Sequence, residues 1–319
     1  MIETFLNAVA EHGEFALICH VSPDGDTIGG ALALKLAFEK LGKHADIFCQ
    51  DAMPQLYHFL PQIDQVRSVF PKKSYEMAIA VDVSDEERMG SAACVFHGAQ
   101  LTACVDHHGT NPGYAAINVI NPQAPAVCQC IFELIQKMGV ALDYDLSICL
   151  FVGISTDTFH FSFDSVTGDT LRAAAALVDH GLQLNSLTTR LYRVRSRGKT
   201  ALMGSALSSV RYYAGGKLSV MYVSYAEQCR CGAQDEDYEG IINYGIETEG
   251  VEIAVLAREL KESNAIKASF RSKRYDVGAL AARFGGGGHE RASGCTISRM
   301  KPEDAVAAIV RAAETVLAQ

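Results

Sequence analysis

The stretch FALICHVSPDGD, Phe15 to Asp26, joins five apolar residues to a turn carrying one histidine and two aspartates. Phe15 to Cys19 reads as a buried strand with His20 at its carboxyl end. Pro23 and Gly25 bend the chain tightly enough for His20, Asp24 and Asp26 to converge. The pattern from Ile28 to Leu41 then predicts an amphipathic helix stopped at Gly42, its N-terminus favouring nearby anions. Alone, a DGD turn is common and is better explained as a loop or a helix cap.

The same order recurs outward from this point. Ala45–Cys49, Met77–Val81 (MAIAV) and Leu101–Val105 (LTACV) read as further strands. Ala126–Met138, Leu146–Ser155 and Asp169–His180 read as helices. That alternation predicts an α/β domain, a parallel sheet flanked by helices. The later part reads as a smaller α+β unit: strands at Leu218–Tyr225, Val251–Leu256 and Ala265–Arg271, a short helix at Val277–Phe284, a glycine loop at Gly285–Gly288 and a terminal helix at Pro302–Leu317. A chain of 319 residues exceeds what one core usually organises. We expect domains at residues 1–185 and 201–319, a basic linker over 186–200, and an active site in the cleft between the domains.

Composition narrows the function. The formal net charge is −9, a poor footprint for long nucleic acid, whereas a small anion can still bind where cations invert the local field. No run of about 18 apolar residues predicts a membrane helix, and the acidic N-terminus lacks the basic region of a signal peptide. Ten cysteines without a secretory signal are expected as reduced thiols in a cytoplasm. The pairs Cys128/Cys130 and Cys229/Cys231 have CxC rather than zinc-type CxxC spacing.

Four acid- and histidine-bearing segments each follow an apolar run. In an open parallel sheet, the carboxyl ends of strands border the ligand crevice. The first segment is the His20/Asp24/Asp26 turn. The second is Asp82, one residue past MAIAV, with Asp85 behind it as a helix cap. The third is Asp106-His107-His108, one residue past LTACV. Adjacent residues point to opposite sides, so one imidazole can enter a metal site while the other faces substrate and Asp106 orients a ring. The fourth is Asp157 in GISTDT. Four carboxylates in one crevice repel one another without cations. The set Asp24, Asp26, Asp82, Asp157, His20 and His107 therefore suits two divalent ions, Mn²⁺ ahead of Mg²⁺, roughly 4 Å apart, and phosphoester hydrolysis.

These segments, HVSPDGD, the strand-end Asp82, VDHHGTN and GISTDT, resemble in order and spacing the motifs of the DHH phosphoesterases over roughly the first 180 residues. The later half is similar to the family's glycine-rich companion domain, through Ala268 to Ser272, Asp276 to Ala281, GGGGH at Gly285–His289 and Ala292-Ser293-Gly294. Two-domain members of this length resemble the nano-RNase type. The resemblance implies a metal-dependent hydrolase of RNA fragments of about 2–5 residues or of 3′-phosphoadenosine 5′-phosphate, with cyclic di-adenylate and pApA as alternative substrates and a homodimer left open. A nucleotide-binding module without catalysis is the remaining alternative. Asp82 would bridge the two ions, and His108 would assist at the phosphoryl group beside Asp106. Arg271, Gly286, Gly287, Gly288, His289 and Ser293 would hold the substrate; glycine lets backbone amides approach an anion, and arginine forks onto phosphate. Two departures stand out: Asn121 to Val127 lacks a Ser/Thr-rich helix start, and Phe159-His160 replaces a common Gly-Phe pair.

Overall fold

In the computed structural model, which describes residues 1–71, 73–261 and 265–318, FALIC lies in strand β1 (Glu14–Cys19), behind helix α1 (Ile2–Glu11). There follow α2 (Gly25–Lys40), β2 (His44–Phe48), β3 (Met77–Val81), α3 (Ala93–His97), β4 (Leu101–Asp106), β5 (Ile117–Ile120), α4 (Val127–Lys137), α5 (Tyr144–Asp157), α6 (Gly168–Val178) and α7 (Leu184–Thr188). The five strands are parallel, in the order β2-β1-β3-β4-β5. Their apolar runs are continuous because both faces are covered. Phe15, Leu17 and Cys19 face a core with α2, α4 and α5, whereas Ala16 and Ile18 face Met89, Val95 and Phe96.

The helix expected as amphipathic differs. In α2 every residue from Gly25 to Phe38 is buried, because α5 and the sheet enclose it. Small residues permit that enclosure. A Cβ on Gly29 would collide with the Cys149 carbonyl oxygen, and one on Gly153 with the Cys128 sulfur and, at 2.7 Å, with Asp26 Oδ1.

The chain divides into two units, Met1–Arg193 and Val194–Gln319. That division falls within the stretch expected as a linker, which carries the end of α7, a π-helical turn at Thr189–Arg193 and the start of α8 (Arg197–Ser208). The second unit continues with β6 (Arg211–Tyr213), β7 (Leu218–Val223), α9 (Tyr225–Cys231), α10 (Ile241–Ile246), β8 (Ile253–Glu259), β9 (Ile266–Ser272), α11 (Val277–Ala282), β10 (Gly287–His289), β11 (Ala292–Ile297) and α12 (Pro302–Leu317). Its sheet runs β10-β11-β9-β8-β7-β6, antiparallel except between β7 and β8. One core contains α11 and α12, another α8 and α10. The expected glycine loop is only half a loop, since Gly287 and Gly288 pair with Gly294 and Ser293.

Candidate metal centre

The order 2-1-3-4-5 places β2 and β3 on opposite sides of β1, so the chain reverses its winding there and leaves a crevice beyond the strand ends. His20 follows β1, Asp82 follows β3 and Asp106 ends β4. The Thr27 hydroxyl donates to the Val81 carbonyl at 2.7 Å, and the Asp82 amide donates to Val105 at 3.0 Å. Asp82 is buried with φ at 61°, a left-handed conformation that aspartate tolerates better than most side chains.

Around Asp82 the acids and histidines converge. His20 Nε2 lies 3.6 Å from Asp24 Oδ1 and 3.6 Å from Asp82 Oδ2. His107 Nε2 lies 3.4 Å from Asp82 Oδ1, 3.3 Å from Asp157 Oδ2 and 3.9 Å from Asp26 Oδ2. Three groups each present ligand atoms within 4.8 Å of one another: His20/Asp24/Asp82, Asp26/His107/Asp157 and Asp82/His107/His108. Asp82 reaches both of the first two, by membership of one and by its approach to His107 in the other.

The rings are held ready. Nδ1 of His20 contacts the Val21 carbonyl at 2.8 Å and Nδ1 of His107 contacts that of Ala124 at 3.1 Å. With Nδ1 tied to a carbonyl in each ring, Nε2 is the nitrogen turned toward the carboxylates, and it can take a metal once its own proton is lost. His108 is turned differently: its Nδ1 lies 2.8 Å from Asp106 Oδ1, and its ring is 43% exposed. Asp106 is fully buried and accepts from Asn111 Nδ2 at 2.6 Å and from the His107 amide at 2.8 Å. It is thus an orienting group rather than a member of the triads.

Electrostatics point to a missing positive charge. Burial, then repulsion by Asp82 and Asp157, raises the Asp26 pKa well above the carboxylate range. Burial lifts Asp157 to about 6, with Asp82 adding to the rise and His107 opposing it. Burial alone would lower the histidines, but Asp24 and Asp82 hold His20 at about 10, and Asp82, Asp26 and Asp157 do the same for His107. Even so, the buried Asp82 Oδ1 makes no well-formed hydrogen bond, with His107 Nε2 no nearer than 3.4 Å and His108 Nδ1 at 3.6 Å. An oxygen so placed is costly without a cation. The groups His20/Asp24/Asp82 and Asp26/His107/Asp157, each two carboxylates with one imidazole, fit a hard divalent ion.

Several contributors escaped the sequence reading. Asp26 Oδ2 accepts from the Val127 amide at 2.6 Å and Oδ1 from the Cys128 amide at 3.0 Å, capping α4, whose own N-cap residue Ala126 has no side chain able to do so. Arg88 Nη2 approaches His20 Nδ1 to 3.1 Å from just beyond the Asp85 cap. Asn111 lay within the VDHHGTN motif, but only the fold assigns it to Asp106 and the Val83 carbonyl. After α5, Phe159, His160 and Phe161 have φ of 45°, 57° and 63°, three successive left-handed residues costing about 1–2 kcal/mol each.

In the second unit, Arg271, Ala292 and His289 form one row across β9, β11 and β10. Arg271 and His289 therefore share a face, two strand spacings or about 10 Å apart. Ser293 belongs to the next row and the other face, where its hydroxyl donates to the Val277 carbonyl. Gly286 precedes β10, and Gly287 and Gly288 lie in it.

Comparison with known proteins agrees with this architecture. Residues 14–154 match the DHH family N-terminal domain and residues 215–319 the DHHA1 domain. A bifunctional oligoribonuclease and PAP phosphatase NrnA of Thermus thermophilus is 32% identical over 95% of this chain and 90% of its own. The protein of the same name from Bacillus subtilis is 26% identical over 91% of each. An exopolyphosphatase-related protein from Bacteroides fragilis, 22% identical, superposes with a TM-score of 0.88 over 100% of this chain and 97% of its own, which speaks to the fold alone. The chain belongs to the DHH family of metal-dependent phosphoesterases and carries the DHHA1 domain as its second unit.

Proposed function

We propose that this protein hydrolyses RNA fragments of about 2–5 residues and 3′-phosphoadenosine 5′-phosphate, using two divalent cations, manganese ahead of magnesium. The observation that carries the reading is Asp82: a buried carboxylate, shared between acid–histidine groups, with one oxygen lacking a well-formed hydrogen bond. His20, Asp24, Asp82 and Asp157 would hold one ion, and Asp26, Asp82, His107 and Asp157 the other. The ions supply Lewis acidity toward the phosphoryl oxygens and acidify water.

The chain's own residues then divide the remaining work. Asp106 accepts a hydrogen bond from His108 Nδ1–H and so fixes the proton there, and the exposed side of that ring would meet a phosphoryl or leaving oxygen. Arg271 and His289, on one face of their sheet, would hold the substrate's far phosphate with the amides of Gly286 to Gly288. Ser293 would contribute through its backbone, since its hydroxyl is engaged with Val277. Binding remote from the scissile bond aligns that bond for reaction. The names of the two NrnA relatives support both substrates. The formal charge of −9 supports small anions over polymers.

The test is a panel of pApA, a trinucleotide, 3′-phosphoadenosine 5′-phosphate, cyclic di-adenylate and a 20-residue RNA, assayed with Mn²⁺, with Mg²⁺ and with chelator. We expect metal-dependent turnover of the first three and little of the 20-mer. Dominant turnover of the cyclic dinucleotide would move the substrate assignment. No turnover of any member with either ion would end the reading.

A further inference from the structure

We propose that Phe159 and Phe163 form a stacking platform for a nucleobase of the substrate, beside the metal centre. The inference rests on the nucleotide-hydrolase reading above and extends it from the phosphate to the base.

Helix α5 ends at Asp157, which faces His107 at 3.3 Å. Phe159 is two residues on, so its Cα lies within about 7.6 Å of that of Asp157. Its ring is stacked on that of Phe163, with centroids 6.0 Å apart and planes 16° from parallel. The two residues are 49% and 53% exposed and are the only exposed phenylalanines among the described residues.

Neither burial nor backbone preference accounts for a phenylalanine at 159. Its φ of 45° favours glycine, and so do those of the next two residues. The turn is nevertheless fixed from beneath. The buried Thr158 hydroxyl donates to Ile154 at 2.6 Å and accepts from the Phe161 amide at 3.0 Å, while the His160 amide donates to Ser155 at 2.7 Å. Phe161 turns inward and packs on Phe151, ring to ring at 5.9 Å. Strain held in place by its surroundings is characteristic of functional sites. Here the turn sets the Phe161 ring against the core and leaves the Phe159 and Phe163 rings exposed, a few residues past Asp157. A flat aromatic face accepts any base, which suits an enzyme trimming RNA without regard to sequence.

The experiment compares equilibrium binding of AMP and of ribose 5-phosphate to the Mn²⁺-loaded protein, for wild type, Phe159→Gly, Phe163→Ala and Phe159→Trp. Phe159→Gly suits the left-handed backbone, so loss of the ring is separated from loss of the fold. We expect AMP affinity to fall about tenfold in Phe159→Gly and Phe163→Ala, with ribose 5-phosphate unchanged and Phe159→Trp retaining the preference for AMP. An AMP-to-ribose 5-phosphate ratio equal to wild type in both truncated variants, or a wild type with no preference, overturns the platform. Parallel assay of pApA hydrolysis separates the two ideas. Turnover with an unmoved ratio removes the platform and leaves the hydrolase. A collapsed ratio without wild-type turnover does the reverse.

Discussion

Replacing Asp82 by Asn tests whether one carboxylate serves two ions. The substitution removes a charge and little else, because asparagine also tolerates φ near 61°. An ion present at 100 times its Kd stabilises the folded state by about 2.7 kcal/mol. For a unit of this size, Met1–Arg193, each kcal/mol moves Tm by about 2–4 °C. One ion is therefore worth about 5–11 °C, and two ions about twice that. Asp24 lies in only one triad, and Asn in its place can still cap α2. Scanning calorimetry with chelator and with saturating Mn²⁺ should give the full shift for wild type, about half for Asp24→Asn and almost none for Asp82→Asn. In chelator both variants lose a carboxylate partner of His20 and should melt somewhat below wild type, so the comparison is of the Mn²⁺-induced shift within each protein. A shift in Asp82→Asn as large as that in Asp24→Asn would refute the sharing.

His108→Gln should lower kcat by about 10²–10⁴ while keeping the Mn²⁺-induced rise in Tm, because the ring's partner is Asp106; steady-state kinetics and calorimetry check the two halves. In chelator, His20 and His107 titrate near 10 rather than 6.5 because neighbouring carboxylates outweigh burial. Both values are raised by folding, so their stabilisation is complete below about pH 6.5 and is lost as pH climbs through about 10. The metal-free protein should accordingly melt at progressively lower temperature across that interval, and His107→Gln should flatten the profile. Gly153→Ala drives a methyl into Cys128 and Asp26, so we expect about 1–3 kcal/mol of destabilisation in chelator and weaker Mn²⁺ binding by titration.

The parts legible in the sequence were those fixed by local patterns. FALIC, MAIAV and LTACV are uninterrupted apolar runs, and parallel strands covered on both faces are written that way. The acids and histidines at their ends could be picked out because charge abutting such a run needs a reason. Strand β5 escaped because INVI is short and lies at the sheet edge, and α1 because it precedes the first strong strand signal. Asp26 as the cap of α4 could not be read, since the partners stand about a hundred residues apart and Ala126 offers no hint of a borrowed cap. The facing of Ser293 away from Arg271 depends on β-register, which no local motif encodes.

The scatter of the acid–histidine cluster along the chain bears on how the protein is made. His20 arrives with the first strand, Asp82 with the third, His107 after the fourth and Asp157 only at the end of α5. Non-local parallel pairing is slow to form, and the chain must bring these segments together before any reward is collected. An emerging polypeptide therefore has no complete pair of triads until residue 157 has left the ribosome and the sheet has closed. Metal uptake then reports the completion of folding and cannot seed it, so a time course of Mn²⁺ capture during refolding should trail the recovery of helical signal.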